Sequence, residues 1–304
     1  MYLIAGATGL LGSAIAQQLA AEDKSFRALV RPGPDSSRLG ELETLGADLA
    51  EGDLKDRASL DRACDGVSVV FSTVTSVLSQ DPNDSIATVD RDGAINLVDA
   101  AERAGAKRFV YTSFSRHIDS EAPLTDAKRA VEQRLEASSL GYTIMRPSFF
   151  MERAFHPMLG FDLGGGKVVV YGSGENRISF VSIEDVARFA IAAAETDGAS
   201  RRTFEVGGPE ALTQLEAIEV FEQASGRSLE RQFVPEEALR AQLAQATDPR
   251  MQSFGALSLD FATGVPVDMT EALEAVPIPL TPLRQFAERL VQEAEAAGAG
   301  VQHG

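Results

Sequence analysis

Short apolar runs alternate with longer amphipathic ones through the first half of the chain. Val67-Ser68-Val69-Val70-Phe71-Ser72-Thr73, dense in β-branched residues, reads as a buried strand. Comparable runs at 27–30, 47–50, 107–112 and 142–145 predict further strands. Between them, the spacing of Ile86, Val89, Ile95, Leu97, Val98 and Ala101 predicts a helix over 85–104. Helices are also expected over 58–64 and 126–138, a weak one over 37–42, and a turn at Arg31-Pro32-Gly33-Pro34. Strands that alternate with helices imply a parallel sheet covered on both faces.

After Pro147 the rhythm breaks. Glycine-rich turns flank a strand expected over 167–171, and a helix over 183–195 followed by a strand over 203–206 returns to the main sheet. Helices are then expected over 212–225, 235–246 and 282–297, with a frayed tail from 298 onward.

The N-terminal stretch organises the rest. Leu3-Ile4-Ala5 is a short apolar strand, Gly6-Ala7-Thr8-Gly9 a turn, and Leu10-Leu11-Gly12-Ser13-Ala14-Ile15-Ala16 the opening of a helix. Gly6 lets the chain turn off the strand, Gly9 brings bare backbone to a ligand, and Gly12 lets the helix pack closely on the sheet. The free N–H groups around Thr8, Leu10 and Leu11 then face outward beside the positive end of the helix dipole, a site for a pyrophosphate. The expected fold is therefore α/β: a doubly wound parallel (Rossmann) sheet with a smaller, mainly C-terminal substrate lobe. Residues 1–150 with a returning segment at about 180–208 form the dinucleotide-binding part. Residues 151–179 and 209–304 form the lobe.

Composition narrows the function. The 304 residues are 44% hydrophobic and 24% charged, as in a globular protein, and no apolar run is long enough to span a bilayer. The net charge of −17, from 45 acidic and 28 basic residues, disfavours binding to nucleic acid or an anionic membrane. The single cysteine, Cys64, excludes an intrachain disulfide and fits a reducing compartment, so a cytoplasmic location is expected. The histidines, His117, His156 and His303, are scattered, and no metal site is expected.

In an acidic protein an anionic cofactor must be held by local basic groups. Arg31, just past the second strand, stands where an acidic residue would bind the ribose of NAD; an arginine there suits the 2′-phosphate of NADP, with Arg38 near enough to help. NADP is the expected cofactor, with NAD possible.

Several motifs carry a family resemblance. They are Gly6-x-x-Gly9-x-x-Gly12, Gly52-Asp53-Leu54, the run from Ala104 to Ser113, Lys128, Tyr142-Thr143-Ile144-Met145-Arg146-Pro147, and Ser179-Phe180-Val181-Ser182-Ile183-Glu184-Asp185-Val186-Ala187. In this order, out to about Val234, the chain resembles the atypical branch of the short-chain dehydrogenase/reductases, the NmrA-like proteins related to isoflavone reductases. The resemblance implies a reductase acting on a small apolar quinone, enone or carbonyl compound, or else a redox-sensing regulator that binds the dinucleotide without turnover and signals through a protein partner. It puts Asp53 at the adenine edge with Leu54 against the ring; Asp53 also reads as the N-cap of the next helix. It lines the crevice with Ser72, Thr73 and Val74, places Lys128 at the nicotinamide ribose, and runs the chain from Pro147 to Phe149 beneath the nicotinamide. Ser113 either bonds a substrate carbonyl or closes its strand.

The main departure from the superfamily pattern is Leu124. It stands four residues before Lys128, where a tyrosine usually supplies the proton. His117, on the loop after Ser113, is the replacement acid that reach and ordinary titration range suggest, against a plain reading as a solvated loop histidine. Phe149, Phe150, Met151, Phe155, His156 and Met158 are expected to line an apolar pocket or to be simply core.

Overall fold

The computed structural model describes residues 1–31, 36–118 and 120–301, so most of the turn expected at 31–34 lies outside the described residues. Six strands build the first half: β1 (Tyr2–Ala5), β2 (Phe26–Val30), β3 (Asp48–Glu51), β4 (Val69–Ser72), β5 (Arg108–Thr112) and β6 (Gly141–Pro147). The helices between them are α1 (Leu10–Ala21), α2 (Ser36–Thr44), α3 (Arg57–Cys64), α4 (Ala94–Arg103) and α5 (Pro123–Glu136). A π-helix, Ile86–Gly93, leads directly into α4.

Strand alternation dictates the two-sided packing. In β5, Phe109 and Tyr111 join one cluster with Leu60, Leu97, Val98, Val131 and Leu135 of α3, α4 and α5. Val110 points the other way, to a cluster with Leu11, Ile15 and Leu19 of α1 and with Val186, Phe189 and Ala190. A sheet so covered carries near-continuous apolar strands, as the sequence does.

After α6 (Met151–Ala154), the short β7 (Phe161–Asp162), β8 (Lys167–Tyr171) and β9 (Arg177–Ile178), the chain forms α7 (Ile183–Glu195) and returns to the main sheet as β10 (Arg202–Val206). The sheet order is β3-β2-β1-β4-β5-β6-β10, every neighbouring pair parallel. The order reverses between β1 and β4, and a crevice opens at the carboxyl ends of strands at such a switch point.

The remaining elements are β11 (Leu212–Thr213), α8 (Gln214–Ser225), β12 (Glu230–Val234), α9 (Glu236–Gln245), α10 (Pro249–Thr263), α11 (Thr270–Ala275) and α12 (Leu283–Val301). Phe155 centres a core shared by β7, β8, β9, α8, α10 and α12, its ring 4.7–5.1 Å from those of Phe161, Phe180 and Phe221, while α11 packs on the main-sheet core. Five points differ from the sequence expectations. The helix expected from 212 starts at Gln214, because Thr213 caps it in a reciprocal pair with Glu216. Asp56, not Asp53, caps α3, its carboxylate accepting from Ala58 N. β12 pairs in parallel with β8 although its residues are mostly exposed, so its run lacks a strand's apolar signal. α10, capped by Asp248 with Pro249 in its first turn, was not anticipated, and α12 runs past Gly298 to Val301.

Candidate active site

The glycine turn is built as its spacing requires. Gly6 has φ +90°, and a Cβ there would lie 2.6 Å from Thr73 Oγ1. A Cβ on Gly12 would lie 2.1 Å from the Gly6 carbonyl oxygen, so only glycine lets α1 approach the turn. A Cβ on Gly9 would meet nothing nearer than that oxygen, at 3.3 Å. Gly9 N–H donates to Gly6 O at 2.9 Å, and as N-cap of α1 Gly9 provides no side-chain cap. The first-turn donors near Thr8, Leu10 and Leu11 therefore sit at a helix end suited to an anion. Leu10 is exposed, whereas Leu11 is buried against the sheet. Arg38 reaches over the turn, donating to Thr8 O at 2.7 Å.

Across the crevice, Thr73 closes the turn from β4: its N–H donates to Ala5 O at 3.0 Å and its hydroxyl to Ala5 O at 3.3 Å. Asp53 and Leu54 follow β3. Leu54 is buried beneath the π-helix, where a Cβ on Gly93 would come 2.8 Å from Leu54 Cβ. Asp53 is half-buried and accepts from Lys55 N–H at 2.8 Å.

Arg31 is already paired. Its Nη1 donates to Asp84 Oδ2 at 2.6 Å, and Lys55 Nζ donates to the other oxygen of Asp84 at 2.7 Å. Asp84 belongs to the loop after β4, 53 residues from Arg31 in sequence, and nothing in local spacing links the two.

Lys128 is buried on α5. Its Nζ donates to Thr112 O at 3.1 Å and Val74 O at 3.3 Å, and lies 5.1 Å from the Tyr111 ring centroid. Burial pulls the Lys128 ammonium below the usual lysine range, while the charges of Asp90 and Glu132 oppose that shift. Asp90, buried on the π-helix, accepts from the Ser76 N–H at 3.0 Å and hydroxyl at 2.5 Å. Among the described residues, Ser72 Oγ, Tyr111 OH, Thr112 Oγ1 and Asp90 Oδ1 are buried without a hydrogen-bond partner. Ser72 and Thr112 end β4 and β5, so the carboxyl edge of the sheet presents buried polar atoms suited to a polar ligand. Asp90 had a legible signal: a carboxylate one residue past Val89 on the apolar face of a helix-spaced run.

Ser113, buried, points its hydroxyl at an ion-pair network. It accepts from Arg129 at 3.4 Å and bonds to Glu132, whose carboxylate also takes Arg146 at 2.6 and 3.0 Å. Burial alone would raise the Glu132 carboxyl; the Arg146 and Ser113 hydrogen bonds and nearby guanidinium charges hold it below the usual range. His117 is exposed, its backbone N–H donating to Ser115 Oγ at 3.2 Å. Leu124 is 2% exposed and packs with Ile86, Ala127, Val77 and Phe114.

Pro147 is buried at the end of β6, its carbonyl accepting from Ser115 N–H at 3.0 Å. Phe149 packs edge-on to Phe261 at 4.9 Å. The apolar pocket expected at 149–158 does not form from those six residues. Met151 and Phe155 are lobe core, Phe150 packs on the α1–α7 side, and Met158 is exposed. His156 turns its Nδ1 back to accept from Met158 N–H at 3.1 Å. The described residues hold no cluster of metal-binding side chains and no helix long and apolar enough to cross a membrane.

A parallel sheet that switches order at β1–β4, with a glycine turn and an uncapped helix at the switch, defines a Rossmann-like α/β protein of the dinucleotide-binding class. The chain belongs to the NmrA-like family, whose model matches residues 2–286. It is 30% identical over 244 residues to a photosystem II assembly factor of Synechocystis, covering 78% of this chain and 72% of that one. It is 28% identical over 301 residues to an NAD(P)H azoreductase of Xenophilus azovorans, covering 98% and 100%. A quinone oxidoreductase of Escherichia coli, solved with NADPH, superimposes with a TM-score of 0.75 at 22% identity over 95% of this chain and 99% of that one, which shows a shared fold.

Proposed function

We propose that this chain is an NAD(P)H-dependent reductase that passes hydride to a small apolar acceptor able to hold the resulting negative charge, a quinone or an enone in preference to an unactivated ketone. The observation that carries the choice of acceptor is Leu124. It is packed into an apolar cluster one helical turn before Lys128 and has no proton to give. An acceptor that delocalises the incoming electron pair takes its proton late, from water, whereas a simple ketone needs a positioned acid. The azoreductase and quinone oxidoreductase relatives support a reductase.

Bound in the crevice, the dinucleotide supplies the hydride. The turn at Gly6, Thr8, Gly9, Leu10, Leu11 and Gly12 holds its pyrophosphate through backbone N–H groups. Asp53 and Leu54 receive the adenine, and Arg31 and Arg38 flank the 2′-phosphate. Ser72, Thr73, Val74, Pro147 and Phe149 border the nicotinamide end, beside Lys128 and Ser113. Lys128, steadied by two carbonyls, presents its charge to the ribose and to negative charge developing on the acceptor. His117 is not needed as an acid in this scheme. The acceptor enters from the smaller, mainly C-terminal lobe.

The test is stopped-flow oxidation of bound NADPH across quinones, enones and simple ketones. Turnover is expected with the first two and not with the third. Binding of NADPH with no acceptor oxidising it above the buffer rate would replace this reading with that of a dinucleotide-binding regulator.

A further inference from the structure

The basic residue that ought to favour a 2′-phosphate is shared with a fixed carboxylate. Arg31, Lys55, Asp53, Asp81 and Asp84 form one cluster at the β2–β3 end of the crevice. Arg31 lies 2.6 Å from Asp84 and 3.8 Å from Asp81, and Lys55 2.7 Å from Asp84 and 3.5 Å from Asp53. With Arg250, whose guanidinium bonds the backbone of the same loop, three cations face three carboxylates, so Arg31's charge is already compensated where a phosphate would need it.

Asp84 is not a flexible surface acid that swings away on demand. Its side chain is 3% exposed and takes a third hydrogen bond from Ser79 Oγ at 2.6 Å. Its own N–H donates to Asp81 O at 3.1 Å. Arg250 of α10 clamps the loop backbone, donating to Ser79 O at 2.9 Å and to Asp84 O at 2.6 Å. Burial by itself would raise the Asp84 carboxyl, but Lys55, Ser79 and Arg31 outweigh it and keep the group ionised at neutral pH. Arg31, by contrast, is half exposed.

We propose that Asp84 sets the cofactor selectivity of the crevice: by neutralising Arg31 it discounts the 2′-phosphate, so that a dinucleotide without that group is accepted as well. The assignment rests on the reductase reading of the crevice and adds to it the residue that tunes which dinucleotide enters.

Titration calorimetry with NADP+ and NAD+ tests it on the wild type, Asp84→Asn, Arg31→Ala and the double variant. Asn keeps the shape and the Ser79 contact while removing the charge. Asp84→Asn is expected to tighten NADP+ about threefold to tenfold and change NAD+ less than about twofold, with the gain lost when Arg31 is alanine. Equal tightening of both nucleotides, or weaker NADP+ binding, overturns the proposal. Wild-type protein that binds neither nucleotide overturns the reductase reading along with it. Should Asp84→Asn lose its cooperative melt, Lys55→Met is the second variant, because it leaves Asp84 to Arg31. It should weaken NADP+ selectively and only while Arg31 is present, and unchanged NADP+ affinity overturns the proposal.

Discussion

Lys128 Nζ on α5 donates to the carbonyl of Thr112 at the end of β5, 3.1 Å away, and a second hydrogen bond carries it across to Val74 beyond β4. One ammonium thus ties a helix to the carboxyl ends of two strands at the switch-point side of the sheet. The position imposes its geometry, and burial imposes its lowered affinity for the proton.

Lys128→Met should lower the rate of hydride transfer at least about tenfold, because the charge facing the ribose and acceptor is lost. The stability test has a definite sign. The folded Lys128 binds its proton less tightly than the unfolded side chain with its value of 10.5, so wild type carries a penalty that shrinks as pH rises towards 10.5. In urea unfolding, wild type should gain stability relative to Lys128→Met between neutral and alkaline pH. A pH-independent difference would contradict the burial of the charge.

The two turn glycines should separate folding from binding. Gly12→Ala puts a methyl 2.1 Å from a backbone oxygen and should lower the melting temperature as well as nucleotide affinity. Gly9→Val has open space nearby except for the Gly6 oxygen at 3.3 Å, so it should keep a native circular dichroism spectrum and lose nucleotide binding by calorimetry. Full affinity in folded Gly9→Val would remove the turn from the binding site.

Restoring the superfamily tyrosine should not restore ketone reduction. Leu124→Tyr adds volume to the cluster of Ile86, Ala127, Val77 and Phe114 and is expected to cost about 1–3 kcal/mol by urea midpoint. Ketone turnover by this variant at the quinone rate would show that the site accepts the phenol.

Glu102 gives an acid limb whose sign follows from its hydrogen bonds. Backbone N–H donation from Ser139, with Arg134 beside it, holds its carboxyl down to about 2 from an ordinary 4.5. A depressed carboxylate contributes stability above its unfolded value and loses it as pH falls towards the folded one. Glu102→Gln should therefore flatten the loss of melting temperature between about pH 5 and pH 2, read by calorimetric scans.

The alternation of apolar runs determined the order of strands and helices through β6, because periods of 2 and 3.6 residues are local properties of the backbone. The glycine triplet made the turn legible because Gly6 at φ +90° and Gly12 against the Gly6 carbonyl are local demands, whereas the contact of Gly6 with Thr73, 67 residues away, came only with the sheet. β12 and α10 were not legible: β12 is mostly exposed and owes its conformation to pairing with β8, and α10 is half exposed and owes its position to packing on α9 and α5.

What the tertiary structure alone decided is which charges meet. Arg31 and Asp84 are joined only because β4 lies beside β1, next to β2, which brings the loop after β4 to the end of β2. Phe149, Phe150 and Met151 are consecutive, yet the chain's path sends Phe150 to the core below the sheet and Met151 to the lobe. Residue type and spacing name the groups a site can use. Electrostatic pairing acts through space, and only the closed sheet sets the distances over which it acts.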